Sequence, residues 1–314
     1  MALIITIPGL VRLALVRDPD ELLRVNDAGV VARSLSGRGG LFNRSIAAKL
    51  AVFRTRDGDI WPAFRDRRDA FRAAHQAALE SALSDVEPLL QRIAPEITEL
   101  GNYIRDGHAH RSMGVAVQQA IGRLFFADYV ASEESYAAAR TLQAWLSAWP
   151  LRAYWIRRSG ALKAALDRIE AASRGDMACA HATALAMDNI VKSIDLMREL
   201  VLRGDNLAKI EPQDALLRTL RAPARVIREV RDGDCVGLIR LRSRTLVLLA
   251  VEDARQQRAS DPGFAFFADA WNRCPAHSIV PALLIEVWQA ARTNKKHSAT
   301  GTPPQGGVTT SRPA

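Results

Sequence analysis

From Trp61 to about Leu202 the chain reads as one long succession of helices, and this constrains its fold more than any other feature. Alanine, leucine and arginine dominate the stretch, and apolar residues recur at spacings of three and four. Helices with one apolar stripe each can hide it only against one another, so the period predicts a helix-on-helix core. Breaks are expected near Pro95, Gly101, Gly107, Pro150, Gly160 and Gly175-Asp176. Upstream, residues 3–33 predict a short strand or turn and then a helix opening at Asp18-Pro19, with an acidic cap, Pro in the first turn and Glu21 close behind. Residues 34–58 are loop-rich, then apolar up to a turn at Asp57-Gly58. After Pro212 the character changes. A helix over Gln213 to Leu220 precedes Pro223 and two β-rich runs, Arg225–Val230 and Val236–Val251, and Asp232-Gly233-Asp234 between them signals a hairpin. A terminal helix is expected over 279–292, and the Thr-, Gly-, Pro- and Ser-rich residues 293–314 read as a disordered tail. The expectation is a mainly α fold with a small β element. It is one domain over 1–292, with its helical core at about 61–220 and its β region at about 225–251.

The chain has 314 residues, 48% hydrophobic and 25% charged, enough for a sizeable core. Lys and Arg exceed Asp and Glu by 43 − 34, a formal charge of +9. The basic residues are spread among acids, as in Arg65-Asp-Arg-Arg-Asp69, which is the pattern of solvated helix faces. No nucleic-acid-binding motif accompanies them. The three cysteines, Cys179, Cys235 and Cys274, are far apart and form no CxxC pair. That argues against a disulfide framework or a zinc site and for a reducing cytoplasm. The apolar start is broken by Pro8-Gly9 and lacks a basic leader, so neither a membrane span nor a signal peptide is expected. His108-Ala-His110 lacks a third metal ligand and reads as a surface pair.

One cysteine stands in a distinctive setting. The loop 264–278, Phe-Ala-Phe-Phe-Ala-Asp-Ala-Trp-Asn-Arg-Cys-Pro-Ala-His-Ser, leads directly into the expected last helix. A thiol at a helix N-terminus has its pKa lowered by backbone N–H groups and the macrodipole, which suits a soft metal ligand. A lone cysteine is equally the common choice for inert packing. Composition and spacing leave both readings of Cys274 open.

Taken in order, four segments resemble the cytochrome P-450 (haem-thiolate) superfamily. Pro8 and Ala14-Leu-Val-Arg-Asp-Pro-Asp-Glu-Leu-Leu23 look like the family's opening strand and first helix. Trp61 followed by Arg65 is similar to its third-helix pair, which donates hydrogen bonds to a haem propionate; on a helix, i and i+4 share one face. Ala184-Leu-Ala-Met-Asp188-Asn189 occupies the place of the helix that crosses the distal face of the haem. There Asp188 matches the acid of an acid–threonine pair and Asn189 replaces the threonine. Asp214-Ala-Leu-Leu-Arg218, followed by Arg228, looks like the Glu-x-x-Arg helix and the propionate-binding arginine after it, with Ala215 where the glutamate would stand. In the cysteine loop Phe267 and Cys274 match, Ala270 and Ala276 replace glycines, and Asn272 replaces a basic residue.

The resemblance implies a short, motif-degenerate cytochrome P-450-like fold carrying haem b, with the Cys274 thiolate on iron. Trp61, Arg65, Arg218, Arg228 and Phe267 would bind or support the cofactor, and Asp188 and Asn189 would line the oxygen side. The implied activity is monooxygenase-type oxidation of a small apolar substrate in secondary metabolism. Electrons would come from an acidic ferredoxin or flavodoxin-type donor docked on the basic surface near Arg273. The missing glutamate and the short chain favour an alternative, a non-catalytic relative that binds and stabilises a partner enzyme. Alanine at 270 and 276 requires a loop that avoids positive φ there.

Overall fold

The computed structural model describes residues 2–293 apart from 56, 108, 109, 205 and 238, so His108 and the tail from 294 onward lie outside the described residues. Two N-terminal strands, β1 (Leu3–Ile7) and β2 (Val11–Val16), form a hairpin around Pro8-Gly9-Leu10. Helix α1 (Pro19–Asp27) follows. Its cap is the expected one, because the Asp18 carboxylate accepts the Glu21 N–H at 2.9 Å and Pro19 sits in the first turn. A two-residue strand, β3 (Val31–Ala32), and helix α2 (Leu41–Leu50) lead to the helical body.

That body holds α3 (Ala70–Ala82), α4 (Val86–Arg92), α5 (Ala94–Asp106), α6 (Met113–Phe125) and α7 (Glu133–Ser147). It continues through α8 (Pro150–Arg158), α9 (Ala161–Ala172), α10 (Met177–His181), α11 (Met187–Leu202) and α12 (Pro212–Thr219). Most expected breaks fall at real ends. Gly107 closes α5 at φ 78°, and the Asp176 carboxylate caps α10 through the Ala178 and Cys179 N–H groups at 2.8 Å each. Gly101 is a correction. It lies inside α5, where a Cβ would come within 2.8 Å of the Ala290 Cβ, so its role is to let two helices touch rather than to end one.

Between α10 and α11 the backbone passes through a π-helical turn, Ala182–Ala186, and helical structure runs on without interruption from 177 to 202. Such a turn widens the helix by one residue and re-aims the side chains on either side of it.

The β region departs from the expected simple hairpin. β4 (Val226–Val230) is followed by β5 (Asp234–Val236) and β6 (Ile239–Leu241), which pair only with each other around Gly237 at φ 59°. The true antiparallel partner of β4 is β7 (Leu246–Leu249), with Val226 opposite Leu249. β7 also runs parallel to β2, giving the order β1-β2-β7-β4-β3. The sheet therefore joins the chain's start to its late segment. Helix α13 (Val251–Gln257) follows β7, and α14 (Ile279–Thr293) ends the described chain. α14 buries Ile279, Val280, Leu283, Leu284, Val287, Trp288 and Ala291, chiefly against α5. At roughly 1.5–3 kcal/mol per large apolar side chain, this contact is a major part of the core. Among the described residues no helix is long and apolar enough to cross a membrane.

Candidate functional site

The loop before α14 is a ladder of turns. Residues Pro262–Phe266 make a 3-10 turn capped by the Asp261 carboxylate, and Phe267 then takes a left-handed conformation at φ 52°. That single residue reverses the chain, so neither Ala270 nor Ala276 needs a positive φ. The Cys274 N–H donates to the Phe266 carbonyl at 2.8 Å, and the His277 N–H donates to the Cys274 carbonyl at 3.1 Å. The buried Phe267 side chain belongs to the main core.

Cys274 itself corrects one expectation. Burial pushes its thiol pKa up, and this outweighs the Ala276 N–H and the Arg33 charge, which pull it down. The physical reason is placement, because α14 begins five residues later, beyond a turn, and its macrodipole falls off within a turn. The free thiol is therefore neutral, and a metal ion would have to displace its proton.

One arginine, Arg33, acts on this thiol, and two more, Arg72 and Arg228, act on Arg33. Arg33 follows β3, Arg72 lies in the first turn of α3, and Arg228 lies in β4. Arg72 and Arg228 are buried. Burial lowers the Arg33 pKa well below its ordinary value, and Arg228 and Arg72 lower it further by repulsion, while Cys274 and Asp66 act the other way. Burial and Arg72 likewise bring Arg228 down to about 9. The acid whose charge reaches all three, Asp66, is already shared by the Arg33 and Arg67 N–H groups, Ser34 and Arg231. Among the described residues Arg228 reaches only neutral acceptors, the Ile227 carbonyl at 3.0 Å and the Asn26 Oδ1 at 3.2 Å, and its Nε has no partner there. Asn26, at the C-terminal end of α1, also donates to the Asn272 Oδ1 at 2.7 Å, and its carbonyl accepts the Trp271 indole N–H at 3.0 Å. It thus ties Arg228 to the cysteine loop.

His181, at the junction of α10 and the π-helical turn, faces the same cluster. Burial, then Arg33 and Arg72, drive its pKa down to about 4, so the ring is neutral, and its Nδ1 has no partner. Trp61 and Phe64 hold the imidazole edge-on, with ring centroids 6.3 and 5.8 Å away. Buried guanidinium and imidazole nitrogens without acceptors are costly, and a group of cations with one shared carboxylate calls for an anion. The charge and donors of this set fit a group that brings carboxylates to the arginines and a metal to the thiol, as haem does.

The remaining expected site residues lie elsewhere. Arg65 does not share a helix face with Trp61, because the two flank the 3-10 turn Pro62–Phe64 and α3 starts only at Ala70. Its guanidinium instead pairs with Asp69 at 3.2 Å and Asp59 at 3.3 Å. Asp188 is ion-paired with Lys192 at 2.5 Å on α11, and the Asn189 carbonyl accepts from Ser193. Neither is among the groups that act on Cys274 or the arginines. Arg218 is exposed on α12. A different carboxylate braces this region. Glu252 in α13 bonds Arg221 at 2.7 Å, the Ala222 N–H at 2.8 Å and Arg255 at 3.1 Å, linking the chain after α12 to the helix that leads to the cysteine loop. Arg273 is held in a two-point fork by Glu80, which that contact lowers to about 2, so much of its charge is already answered. Beside it lies a cleft of about 560 Å³ between α3 and the loop, rimmed by Arg67, Gln76 and Trp271.

No protein-family model and no curated protein matches the chain. Solved structures do match, among them eight cytochrome P450s. A 6-coordinated cytochrome P450 from Thermus thermophilus is 14% identical, with TM-score 0.60, over 92% of this chain and 86% of that one. P450 RauA, complexed with a biosynthetic intermediate of aurachin RE, is 11% identical with TM-score 0.59, over 89% and 83%. Cytochrome P450EX alpha with myristic acid is 11% identical with TM-score 0.58, over 92% and 82%. The chain has the cytochrome P450 fold in a shortened form.

Proposed function

We propose that this chain is a haem-thiolate oxidoreductase of the monooxygenase type, in which the Cys274 thiolate would hold the haem iron. The observation that carries the reading is the surplus of guanidinium charge at Arg33, Arg72 and Arg228, of which Arg33 acts on the half-buried Cys274 thiol, inside a P450 fold. Two propionates would supply the missing counter-charge, and Arg is suited to bind them in a fork. A thiolate-ligated haem, when bound, favours O–O bond cleavage and oxygen insertion.

The chain's own residues then have distinct tasks. Arg228 and Arg72 orient the cofactor's carboxylates, and Asn26 fixes Arg228 against the cysteine loop. The Ala276 N–H and Arg33 stabilise the thiolate form of Cys274. Trp61 and Phe64 keep water from the His181 face. His181, neutral above about pH 4, holds a proton on one ring nitrogen and offers the other as an acceptor. It thus takes the place on the oxygen side that the resemblance implied for Asp188 and Asn189. A small apolar substrate and a ferredoxin or flavodoxin-type electron donor belong to the same proposal, with the donor approaching the cleft beside Arg67 and Arg273.

Haem titration of the purified chain tests this reading. Tight stoichiometric uptake is expected, weakened about tenfold to a hundredfold by Arg228→Gln through loss of a charge-assisted hydrogen bond of about 1.5–3 kcal/mol. Uptake unchanged by that substitution overturns the assignment of the arginine cluster.

A further inference from the structure

α8 has the wrong outer face for water. Its Ala153 is buried and Ile156 half-buried against α7 and α9, whereas Trp149 is 83%, Leu151 71%, Trp155 59% and Tyr154 54% exposed. At 100° per residue, Leu151 and Trp155 are an i, i+4 pair directly opposite Ala153, with Tyr154 and Arg158 beside them and Arg152 and Arg157 on the two flanks. All three arginines are exposed, and none has an ion pair or hydrogen bond through its guanidinium among the described residues. Elsewhere on this surface exposed arginines commonly find a carboxylate, as Arg168 does with Glu134 and Arg174 with Asp128. From Trp149 to Ser159 the sequence contains no acidic residue.

We propose that α8 is an interfacial helix that docks the protein on an anionic lipid surface. Tryptophan and tyrosine are the side chains that settle at the headgroup level, because each has an apolar body and a polar tip. Leu151 and Trp155 enter the acyl boundary, and the flanking arginines reach lipid phosphates on both sides. Nine residues lying flat suffice for this mode, which needs no spanning segment. Charge complementarity favours a lipid surface of distributed negative charge over an apolar partner groove, since Arg152 and Arg157 stand on opposite sides of the ridge and Arg158 lies within it. The inference does not depend on haem binding.

Co-sedimentation of the full chain with vesicles decides it. The probes are phosphatidylcholine vesicles and phosphatidylcholine vesicles containing about one third phosphatidylglycerol. The chain is expected to partition onto the mixed vesicles at least about tenfold more strongly than onto the neutral ones, since each arginine near the surface contributes roughly a fivefold factor. Added salt should weaken the binding. Arg152→Glu with Arg158→Glu should reduce it at least about tenfold, and Trp155→Ser should also weaken it. These side chains are exposed, and an unchanged circular dichroism spectrum verifies that the variants fold. Absence of binding to mixed vesicles, or equal binding by the charge-reversed variant, overturns the proposal. So does a dimer in light scattering that Trp155→Ser dissolves, because it would assign the face to a second copy of the chain.

Discussion

Replacing Arg228 with glutamine should move stability and cofactor affinity in opposite directions. In the haem-free protein the guanidinium is buried, has no carboxylate partner and repels Arg72, and its pKa falls to about 9. At about 1.4 kcal/mol for each tenfold loss of proton affinity, this sets a ceiling of roughly 4–5 kcal/mol on the cost of the charge. Structural relaxation and water reduce such costs, and replacing buried charges with neutral groups typically gains about 1–4 kcal/mol. Glutamine keeps an amide donor for Asn26, so little hydrogen bonding is lost. Arg228→Gln is therefore expected to stabilise the haem-free chain by about 1–3 kcal/mol in urea unfolding at pH 7. A guanidinium stays protonated in proteins, so the gap between variant and wild type should persist from neutral to mildly alkaline pH. Haem affinity should fall in the same variant. Arg65→Gln is the control, because Arg65 already pairs with Asp59 and Asp69 and its loss should leave haem affinity unchanged. A haem-free Arg228→Gln protein less stable than wild type by more than about 1 kcal/mol would refute the reasoning.

Other consequences follow from single contacts. His181 has a folded pKa of about 4, below its ordinary value, so stability should fall as pH drops from about 6.5 to 4, by at most roughly 3 kcal/mol. His181→Phe should flatten that part of the pH–stability curve, and an unchanged slope would place the titrating group elsewhere. Against burial, which pushes it up, Arg255, the Ala222 N–H and Arg221 hold the Glu252 carboxyl below its ordinary pKa. Glu252→Ala should cost about 2–4 kcal/mol in chemical denaturation at pH 7, because it strands the buried Arg255. A loss under about 0.5 kcal/mol would mean that the cluster is ornamental. Gly101→Leu should destabilise by at least about 1–3 kcal/mol by driving α5 and α14 apart, and it should also disturb the loop that α14 anchors. Native-like stability in that variant would contradict the close helix contact.

Local chemistry was readable in the sequence and long-range convergence was not. The Asp18-Pro19 cap, the glycine stop at Gly107 and the helical period of 61–202 act within a few residues, so the chain announces them directly. The ordered resemblance pointed to Cys274, Phe267 and Arg228 across segments whose individual motifs are worn. Arg33 and Arg72 gave no such signal. Each sits among other arginines, and only the packing of β3, α3 and β4 makes them meet. Asp188 illustrates the converse. Its one-dimensional pattern suited the acid position, but Asp188 pairs with Lys192 one turn along α11, while His181, just before the π-helical turn at Ala182–Ala186, is the group on this segment that feels the arginine cluster. The β region misled for a related reason. The Asp-Gly signal at 232–233 marked a bend, and Gly237 opened a small extra ladder, while the partner of β4 lay farther along the chain.

The central claim is that Cys274 binds iron as a thiolate inside this cluster. The most direct measurement is the Soret spectrum of the haem-loaded, reduced protein under carbon monoxide. A strongly red-shifted thiolate band that disappears in Cys274→Ala is the expected result. A chain that takes up no haem, or one whose band is unchanged in Cys274→Ala, would contradict the claim.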